Sequence, residues 1–260
     1  MSQTISLKFN QNYFSEFLEK FSDLTTIDDV IKIKIDENEV LMYSLISSES
    51  SIVAFKGYEL KTEDLFENYT ITHPLDFIIT SSNKLSKNLK FFNPNVPIDL
   101  QIIIKKTDDD DDERYQIRSA QFKNGKLKIT CISGEQFKIK DLKKSILNQK
   151  LNPKKSKWNF KVTSLDFTNI KKLSTINNEN KTFNITVQSG KVLFGELSKW
   201  ELEVDQIQSQ NTSIIFNKKY LGNINEQQEI NFHIFENFIL IKDNNSNLML
   251  SFEQNFSEDD

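Results

Sequence analysis

IKIDENEVLMYSL, residues 33–45, is matched 152 positions later by ITVQSGKVLFGEL, residues 185–197. Each stretch begins with alternating apolar and polar residues, passes through a short polar turn and continues as a second apolar run, which is typical of a β-hairpin. Apolar residues with helical spacing precede each copy: Phe14, Phe17 and Phe21 before the first, and Phe167, Ile170 and Leu173 before the second. Two copies of one pattern predict a duplicated folding unit and a symmetric scaffold.

The composition is that of a folded chain with a mildly acidic surface. Of the 260 residues, 37% are hydrophobic, and 21 Phe supply aromatic area to the cores of two medium-sized domains. Lys and Arg total 33 against 37 Asp and Glu, so the formal net charge is -4. This balance argues against a protein that coats nucleic acid over its whole surface, but it permits a local basic face.

Residues with reactive side chains are few. Cys131 is the single cysteine, so no internal disulfide forms, and a lone thiol is more often a small core residue than a nucleophile. His73 and His233 are expected to be structural. No glycine-rich phosphate loop, nucleophile elbow or metal-ligand spacing occurs, so we expect no enzymatic activity, no metal and no cofactor. The acidic run at 108–113 is expected to be a solvated hairpin tip, with a metal site as the alternative.

No stretch of the sequence approaches the ~18–20 consecutive apolar residues that cross a membrane. The polar residues 1–8 also lack the apolar core of a signal peptide. We therefore expect an intracellular, cytoplasmic protein without membrane contact, in the host cytoplasm if the source is viral.

Periodicity divides the chain into two similar halves. Helical spacing predicts helices at residues 10–22, 82–92, 165–176 and 217–224. Alternation predicts antiparallel strands between them, with Asn124 and Gly125 as a hairpin turn. Each half therefore has a helix, three strands, a second helix and three or more strands. The predicted fold class is α+β, with similar domains at 1–140 and 158–260 and a Lys- and Asn-rich connector at 141–157.

Four segments carry a family resemblance: residues 14–45, residues 167–197, LDFIITSSNKLSKNLKFF at 75–92 and IIFNKKYLGNI at 214–224. In this order they resemble a DNA polymerase sliding clamp, the ring-shaped processivity factor, and most closely the two-domain type of tailed phages and of proliferating cell nuclear antigen. The resemblance implies the DNA clamp fold, with helices packed on curved antiparallel sheets, and a homotrimeric ring whose helices surround duplex DNA. The implied partners are double-stranded DNA, bound without sequence preference, a DNA polymerase and a clamp loader.

Helices that face DNA should carry their cations opposite the apolar stripe. The second and fourth helices meet this condition and the third meets it in part, whereas the first places Glu16 and Glu19 opposite its Phe residues. Solvation of an ordinary Lys-rich helix face explains any one of these helices equally well. The candidate DNA-contacting residues are Lys20, Lys84, Lys87, Lys90, Lys171, Lys172, Lys218 and Lys219.

Two further surfaces are predicted. Edge strands at 136–140 of one subunit and 199–205 of the next are expected to pair and close the ring. Their residues are Gln136, Phe137, Lys138, Ile139 and Lys140, and Lys199, Trp200, Glu201, Leu202, Glu203, Val204 and Asp205. Short hydrophobic peptides of partner proteins are expected to bind near the connector and the last strand. The candidates there, for which core packing is the alternative, are Ile146, Leu147, Leu151, Leu250 and Phe252.

The sequence leaves two other functions open. One is a monomeric β-rich binding or structural module, such as a virion component, whose duplication serves only stability. The other is a monomeric polymerase-accessory protein that binds DNA without encircling it. A strict monomer in solution would favour either of these over a ring.

Overall fold

The computed structural model describes residues 2–47, 52–107, 114–132, 156–176, 181–188, 190–195, 198–204, 212–224, 229–243, 246–251 and 253–255. The chain divides into two compact units. Unit 1 comprises Met1–Leu45 and Lys56–Ile139, and unit 2 comprises Ile46–Phe55 and Lys140–Asp260. The predicted boundary at 140 and most of the connector at 141–157 lie outside the described residues, so the domain limits stay a prediction.

In the described part of the chain, unit 1 consists of two groups of paired strands and three α-helices. Its strand orders are β5-β1-β7-β8-β9 and β4-β3-β2-β6. The elements are β1 (Ser2–Phe9), α1 (Gln11–Leu24), β2 (Val30–Ile35), β3 (Glu39–Ser47), β4 (Ile52–Lys61, of which Lys56 onward belongs to this unit), α2 (Thr62–Leu65), β5 (Phe66–Glu67), β6 (Leu75–Thr80), α3 (Ser82–Leu89), β7 (Ile98–Thr107), β8 (Arg114–Asn124) and β9 (Leu127–Ile132).

Unit 2 repeats this plan. Its strand orders are β10-β15-β16-β17 and β13-β12-β11-β14-β18. The elements are β10 (Trp158–Val162), α4 (Ser164–Ile176), β11 (Thr182–Gln188), β12 (Lys191–Phe194), β13 (Trp200–Glu203), β14 (Thr212–Asn217), a 3-10 helix (Lys218–Asn223), β15 (Ile230–Ile234), β16 (Phe238–Lys242), β17 (Ser246–Ser251) and β18 (Glu253–Asn255).

The repeated sequence forms the same hairpin in both units. In unit 1, Ile33 lies opposite Met42 and Ile35 opposite Val40. In unit 2, the residues 152 positions later pair in the same register, with Ile185 opposite Phe194 and Val187 opposite Val192. All eight of these side chains are buried. The duplication is therefore one of backbone register and core position as well as of sequence.

Helix α1 shows why these residues fold as they do. The Asn10 side chain accepts a hydrogen bond from the Asn12 backbone N–H at 3.2 Å and so caps the helix. Phe14, Phe17 and Phe21 then fall on one buried face at intervals of three and four. The Phe14 and Phe17 rings contact that of Phe9 on β1, with each pair of centroids 5.1 Å apart, and the Phe21 ring stacks on Phe17.

Three local predictions differ from the structure. The first helix of each unit is preceded by a strand that was not predicted, β1 in unit 1 and β10 in unit 2. β1 begins with the polar residues Ser2, Gln3 and Thr4, which do not suggest a strand, and it is stabilised by pairing along β7. The second helix ends at Leu89 and not at residue 92 as predicted. The predicted helix at 217–224 is a 3-10 helix, and Phe216 belongs to the preceding strand β14. The turn at Asn124 and Gly125 is confirmed, with Gly125 at a φ of 59°.

Candidate nucleic-acid interface

Helix α3 presents the clearest basic surface. The Asp29 carboxylate accepts the backbone N–H of Asn83 at 2.7 Å, which fixes the start of the helix. Leu85 and Leu89 are buried on one side. The opposite, exposed side carries Lys84 and Lys87, and Lys90 follows at the C-cap; all three form no ion pair or hydrogen bond within the described part of the chain. Their positive charges therefore face solvent uncompensated.

Contacts with α1 and with the β8–β9 turn hold α3 in place. The Ser86 and Ser22 hydroxyls are 2.6 Å apart, and the Phe92 ring stacks on Phe14 with centroids 6.1 Å apart. Beyond the helix, the Asn124 side chain accepts the Asn93 backbone N–H at 2.8 Å and donates to the Asn93 carbonyl at 3.0 Å. The lysines therefore project from a firmly anchored backbone.

Helix α4 exposes fewer cations. Thr163 caps its start, because its hydroxyl accepts the Asp166 backbone N–H at 3.1 Å and donates to the Asp166 carboxylate at 2.6 Å. Lys172 is exposed. Lys171, in contrast, donates to the Ile224 carbonyl at 3.0 Å, and its ammonium lies 5.4 Å from the centre of the Phe167 ring. Lys171 thus joins α4 to the end of the 3-10 helix.

The 3-10 helix adds one exposed lysine, Lys219. The Asn217 side chain accepts the Lys219 backbone N–H at 3.1 Å, and Tyr220 and Leu221 are buried below it. The Lys219 ammonium lies 4.7 Å above the centre of the Tyr220 ring and is exposed to solvent. Lys218 is half-buried and makes an interaction within the protein.

Helix α1 does not present a basic face. The Lys20 side chain is only 11% exposed and its ammonium lies 2.5 Å from the Glu16 carboxylate. Glu19 is exposed. The placement of Lys20 argues against its predicted role as a phosphate contact, because its charge is already neutralised inside unit 1.

One predicted groove residue lies in a core instead. Leu250 on β17 is 1% exposed and faces Ile239, whose side chain is also buried. Core packing, the alternative explanation for Leu250, is therefore what the structure supports. The other groove candidates, Ile146, Leu147, Leu151 and Phe252, lie outside the described residues, and for them the prediction stands untested.

In the described part of the chain, β13 and β9 are two of the strands that lie at the edge of a sheet. β13 is hydrogen-bonded only to β12, and β9 only to β8. The outer face of β13 carries Glu201 and Glu203, both exposed, and the outer face of β9 carries Lys128. Lys191 on β12 lies 2.5 Å from Glu201, whose hydrogen bond and charge raise the pKa of Lys191.

The inner faces of the same edges are apolar. On β9, Ile129 packs against the core of unit 1 and Cys131 is buried. On β13, the alternate residues are half-buried, and the Trp200 indole N–H donates to Asp166 at 3.2 Å. The half-buried members of β13 and its C-terminal neighbour are Trp200, Leu202 and Val204.

The predicted interface residues are thus placed in part. The exposed Lys199 directly precedes β13, whose four residues fall within the predicted stretch. Asp205 and residues 136–140 lie outside the described residues. The charged edge β9 was not predicted, since sequence alternation identifies a strand without telling whether it is the last one in its sheet.

Three further features of the described residues bear on metal binding, thiol reactivity and membrane insertion. Within the described ranges, no group of three or more His, Cys, Asp or Glu residues is arranged to hold a metal ion. Burial raises the pKa of the Cys131 thiol to about 12, so the thiol stays protonated, as expected of a core residue. The run at 108–113 lies outside the described residues. Of the described helices, none has the length and apolar character to span a membrane.

The chain is similar in structure to solved sliding clamps, although no family model and no curated protein match its sequence. Among solved structures, the PCNA2-PCNA3 complex from Sulfolobus tokodaii is similar with a TM-score of 0.58 and 11% identity over 96% of this chain and 99% of that chain. The DNA polymerase III subunit beta from Pseudomonas aeruginosa is similar with a TM-score of 0.63 and 8% identity over 98% of this chain and 66% of that chain. The Helicobacter pylori beta clamp bound to a DNA ligase peptide has a TM-score of 0.63 and 13% identity over 96% of this chain and 65% of that chain.

These similarities define the class of fold. The chain has the fold of DNA sliding clamps, and the predicted α+β class with helices on antiparallel sheets is confirmed. It covers nearly all of the Sulfolobus chain and about two thirds of each of the two bacterial chains.

Proposed function

We propose that this protein is a sliding clamp, copies of which close into a ring around duplex DNA and tether a replicative DNA polymerase. The observation that carries the proposal is the clamp fold combined with the exposed, uncompensated lysines of α3. A ring held by topology needs only a few loose phosphate contacts, and such contacts carry no sequence information. A net charge of -4 is compatible with this role, because acids elsewhere on the surface oppose non-specific adhesion to DNA.

Complementary edges support ring closure. An exposed edge strand is prone to pair with another chain. If β9 of one copy pairs with β13 of the next, Lys128 meets a face that carries Glu203, while the apolar inner faces adjoin. Opposite charges across paired strands are favourable and like charges are unfavourable. Two-unit subunits joined in this way would form a homotrimer with six similar domains.

The remaining parts of the proposal concern partners and chemistry. A clamp loader would open the ring, and the polymerase would attach through a short hydrophobic peptide, as the ligase peptide bound to the Helicobacter pylori beta clamp suggests by analogy. The protein would act in the cytoplasm, and the chain itself would catalyse no reaction.

A processivity assay tests the proposal. With polymerase and loader on circular primed DNA, we expect long products and a protein that stays on closed circles. Linearising the circle should release it, since a ring slides off a free end. A protein that remains bound after linearisation, or a strict monomer by light scattering, would favour a simple DNA-binding or structural module instead.

The lysines of α3 are tested by charge reversal. Lys84→Glu, Lys87→Glu and Lys90→Glu together should cut loading and processivity while leaving the oligomer intact, because these exposed side chains form no ion pair or hydrogen bond within the described residues. A matched control replaces three exposed lysines off the helices, Lys105, Lys157 and Lys181, with Glu. The net charge changes equally, so an equal loss in both variants would remove α3 from the interface.

The edges are tested by a charge swap. Lys128→Glu alone and Glu203→Lys alone should each weaken the oligomer by placing like charges across the junction. The double variant Lys128→Glu/Glu203→Lys should restore it. Light scattering at a fixed protein concentration measures the mass, and failure of the swap to rescue would reject the β9–β13 pairing.

A further inference from the structure

Phe91 is held in solvent by an ordered backbone. Phe91 is 78% exposed, the highest value among the large hydrophobic residues in the described part of the chain. The Phe91 backbone N–H donates to the Asn88 carbonyl at 3.1 Å, and the next residue, Phe92, is buried. Asn93 is then tied to Asn124 by hydrogen bonds in both directions. Anchors on both sides therefore fix the backbone that carries this exposed ring, which lowers the entropic cost of ordering the segment on binding.

The ring lies within a basic stripe. Lys84, Lys87 and Phe91 follow one another at intervals of three and four, which places them along one side of α3 and its last turn. Lys90 flanks them. α3, with the sequence SNKLSKNL, contains no acidic residue. A partner for this surface must therefore offer negative charge and, next to it, a flat apolar face.

We propose that Phe91 stacks on unpaired bases of single-stranded DNA while the lysines of α3 hold the adjacent phosphates. Every base has an apolar face, but in a duplex that face is covered by its neighbours, so stacking requires a single-stranded segment such as the template beyond a primer end. An acidic peptide would satisfy the lysines, yet acidic side chains offer nothing flat to an exposed ring. The inference rests on the proposed function and adds to it a preference for primer–template junctions.

DNA binding by fluorescence anisotropy tests the stacking. The probes are a blunt DNA hairpin and the same hairpin with a single-stranded 5′ thymidine overhang, both end-labelled. The wild-type protein should bind the overhang form more tightly. Phe91→Ala should weaken binding to the overhang form by about tenfold and binding to the blunt form by less than about twofold. Phe91→Tyr should retain the preference, whereas Phe91→Leu, which keeps apolar area without an aromatic face, should lose it.

Salt and control variants sharpen the result. Phosphate contacts weaken steeply as salt rises and stacking does not, so the relative preference for the overhang should persist while both affinities fall. Leu165→Ala is the matched control, because Leu165 is 74% exposed in unit 2 and should change neither affinity. Circular dichroism checks that each variant folds.

The outcomes separate this inference from the proposed function. Both hairpins have open ends and need neither ring closure nor a loader, so overhang preference is measured even if processivity fails. Equal weakening of both probes by Phe91→Ala, or no preference in the wild type, would overturn the stacking. A change in oligomeric mass without a change in preference would also overturn it and would assign Phe91 to a protein–protein contact.

Discussion

Replacing the buried Lys56 should destabilise unit 1 through the charge that it leaves behind. Lys56 on β4 is 1% exposed, and its ammonium lies 2.5 Å from the Asp23 carboxylate at the end of α1. The Tyr58 hydroxyl donates to the same carboxylate oxygen. Removing one partner of a fully buried pair costs about 3–5 kcal/mol. Because Asp23 is 25% exposed and keeps its bond from Tyr58, we expect about 2–3 kcal/mol for Lys56→Met.

A double-mutant cycle isolates the pair. Asp23→Asn leaves the more deeply buried ammonium without this counter-charge and should cost more than Lys56→Met. The double variant Lys56→Met/Asp23→Asn should recover at least about 2 kcal/mol relative to the sum of the single changes, since neither unbalanced charge remains.

Urea unfolding at fixed protein concentration measures these effects. With a slope of about 2 kcal/mol per molar urea, Lys56→Met should lower the midpoint by about 1 M. Far-UV circular dichroism follows the whole chain, while tryptophan fluorescence follows unit 2, because Trp158 and Trp200 are the two tryptophans of the sequence and both lie there. Additive single changes, or an unmoved circular dichroism midpoint, would refute the reasoning.

Two further predictions concern titrating side chains. Burial raises the pKa of Cys131 to about 12, so iodoacetamide at about pH 8 should modify the native thiol roughly a thousandfold more slowly than the thiol in urea; equal rates by mass spectrometry would contradict the burial. Burial, and then the charge of Lys242, lowers the pKa of His233 in the folded state. The unfolded chain therefore takes up that proton first as pH falls below about 6.5, and stability declines until the folded His233 titrates. His233→Leu should flatten this part of the decline in urea midpoints, and an unchanged slope in that variant would refute the assignment.

Local patterns predicted most of the fold because each reports a single element. The alternation at 33–45 predicts which residues of the hairpin are buried. The repeat at 185–197 predicts the same buried positions in unit 2, where the strands pair in the same register. Helix α4 was predicted to within one residue for the same reason. Strand β1 was not predicted, because its polar half is stabilised by pairing with β7, which is far away in sequence and leaves no local pattern.

The candidate site was less predictable because a lysine's sequence position does not reveal what its side chain touches. Lys84 and Lys171 look alike on a helical wheel, yet one faces solvent and the other donates to the Ile224 carbonyl. Lys56 stands in the apolar run IVAFKGYEL, and nothing in that run predicts that the buried ammonium pairs with Asp23, far away in sequence. The sequence FF at 91–92 likewise does not say which ring is buried.

The duplicated units differ where they are proposed to meet DNA. In unit 1 the second helix is a true α-helix with a continuous stripe of exposed lysines, whereas in unit 2 its place is taken by a 3-10 helix whose neighbour Lys171 is engaged within the protein. Duplication preserved the hairpin register because any slip would turn a whole row of core side chains outward. Surface lysines are under no such constraint, so the helices of unit 1 can carry more exposed lysines than those of unit 2, where Lys172 and Lys219 are exposed. A ring built from such subunits would offer the duplex an alternation of stronger and weaker basic segments, and loose contacts of unequal strength suit a protein that must travel along DNA rather than grip it.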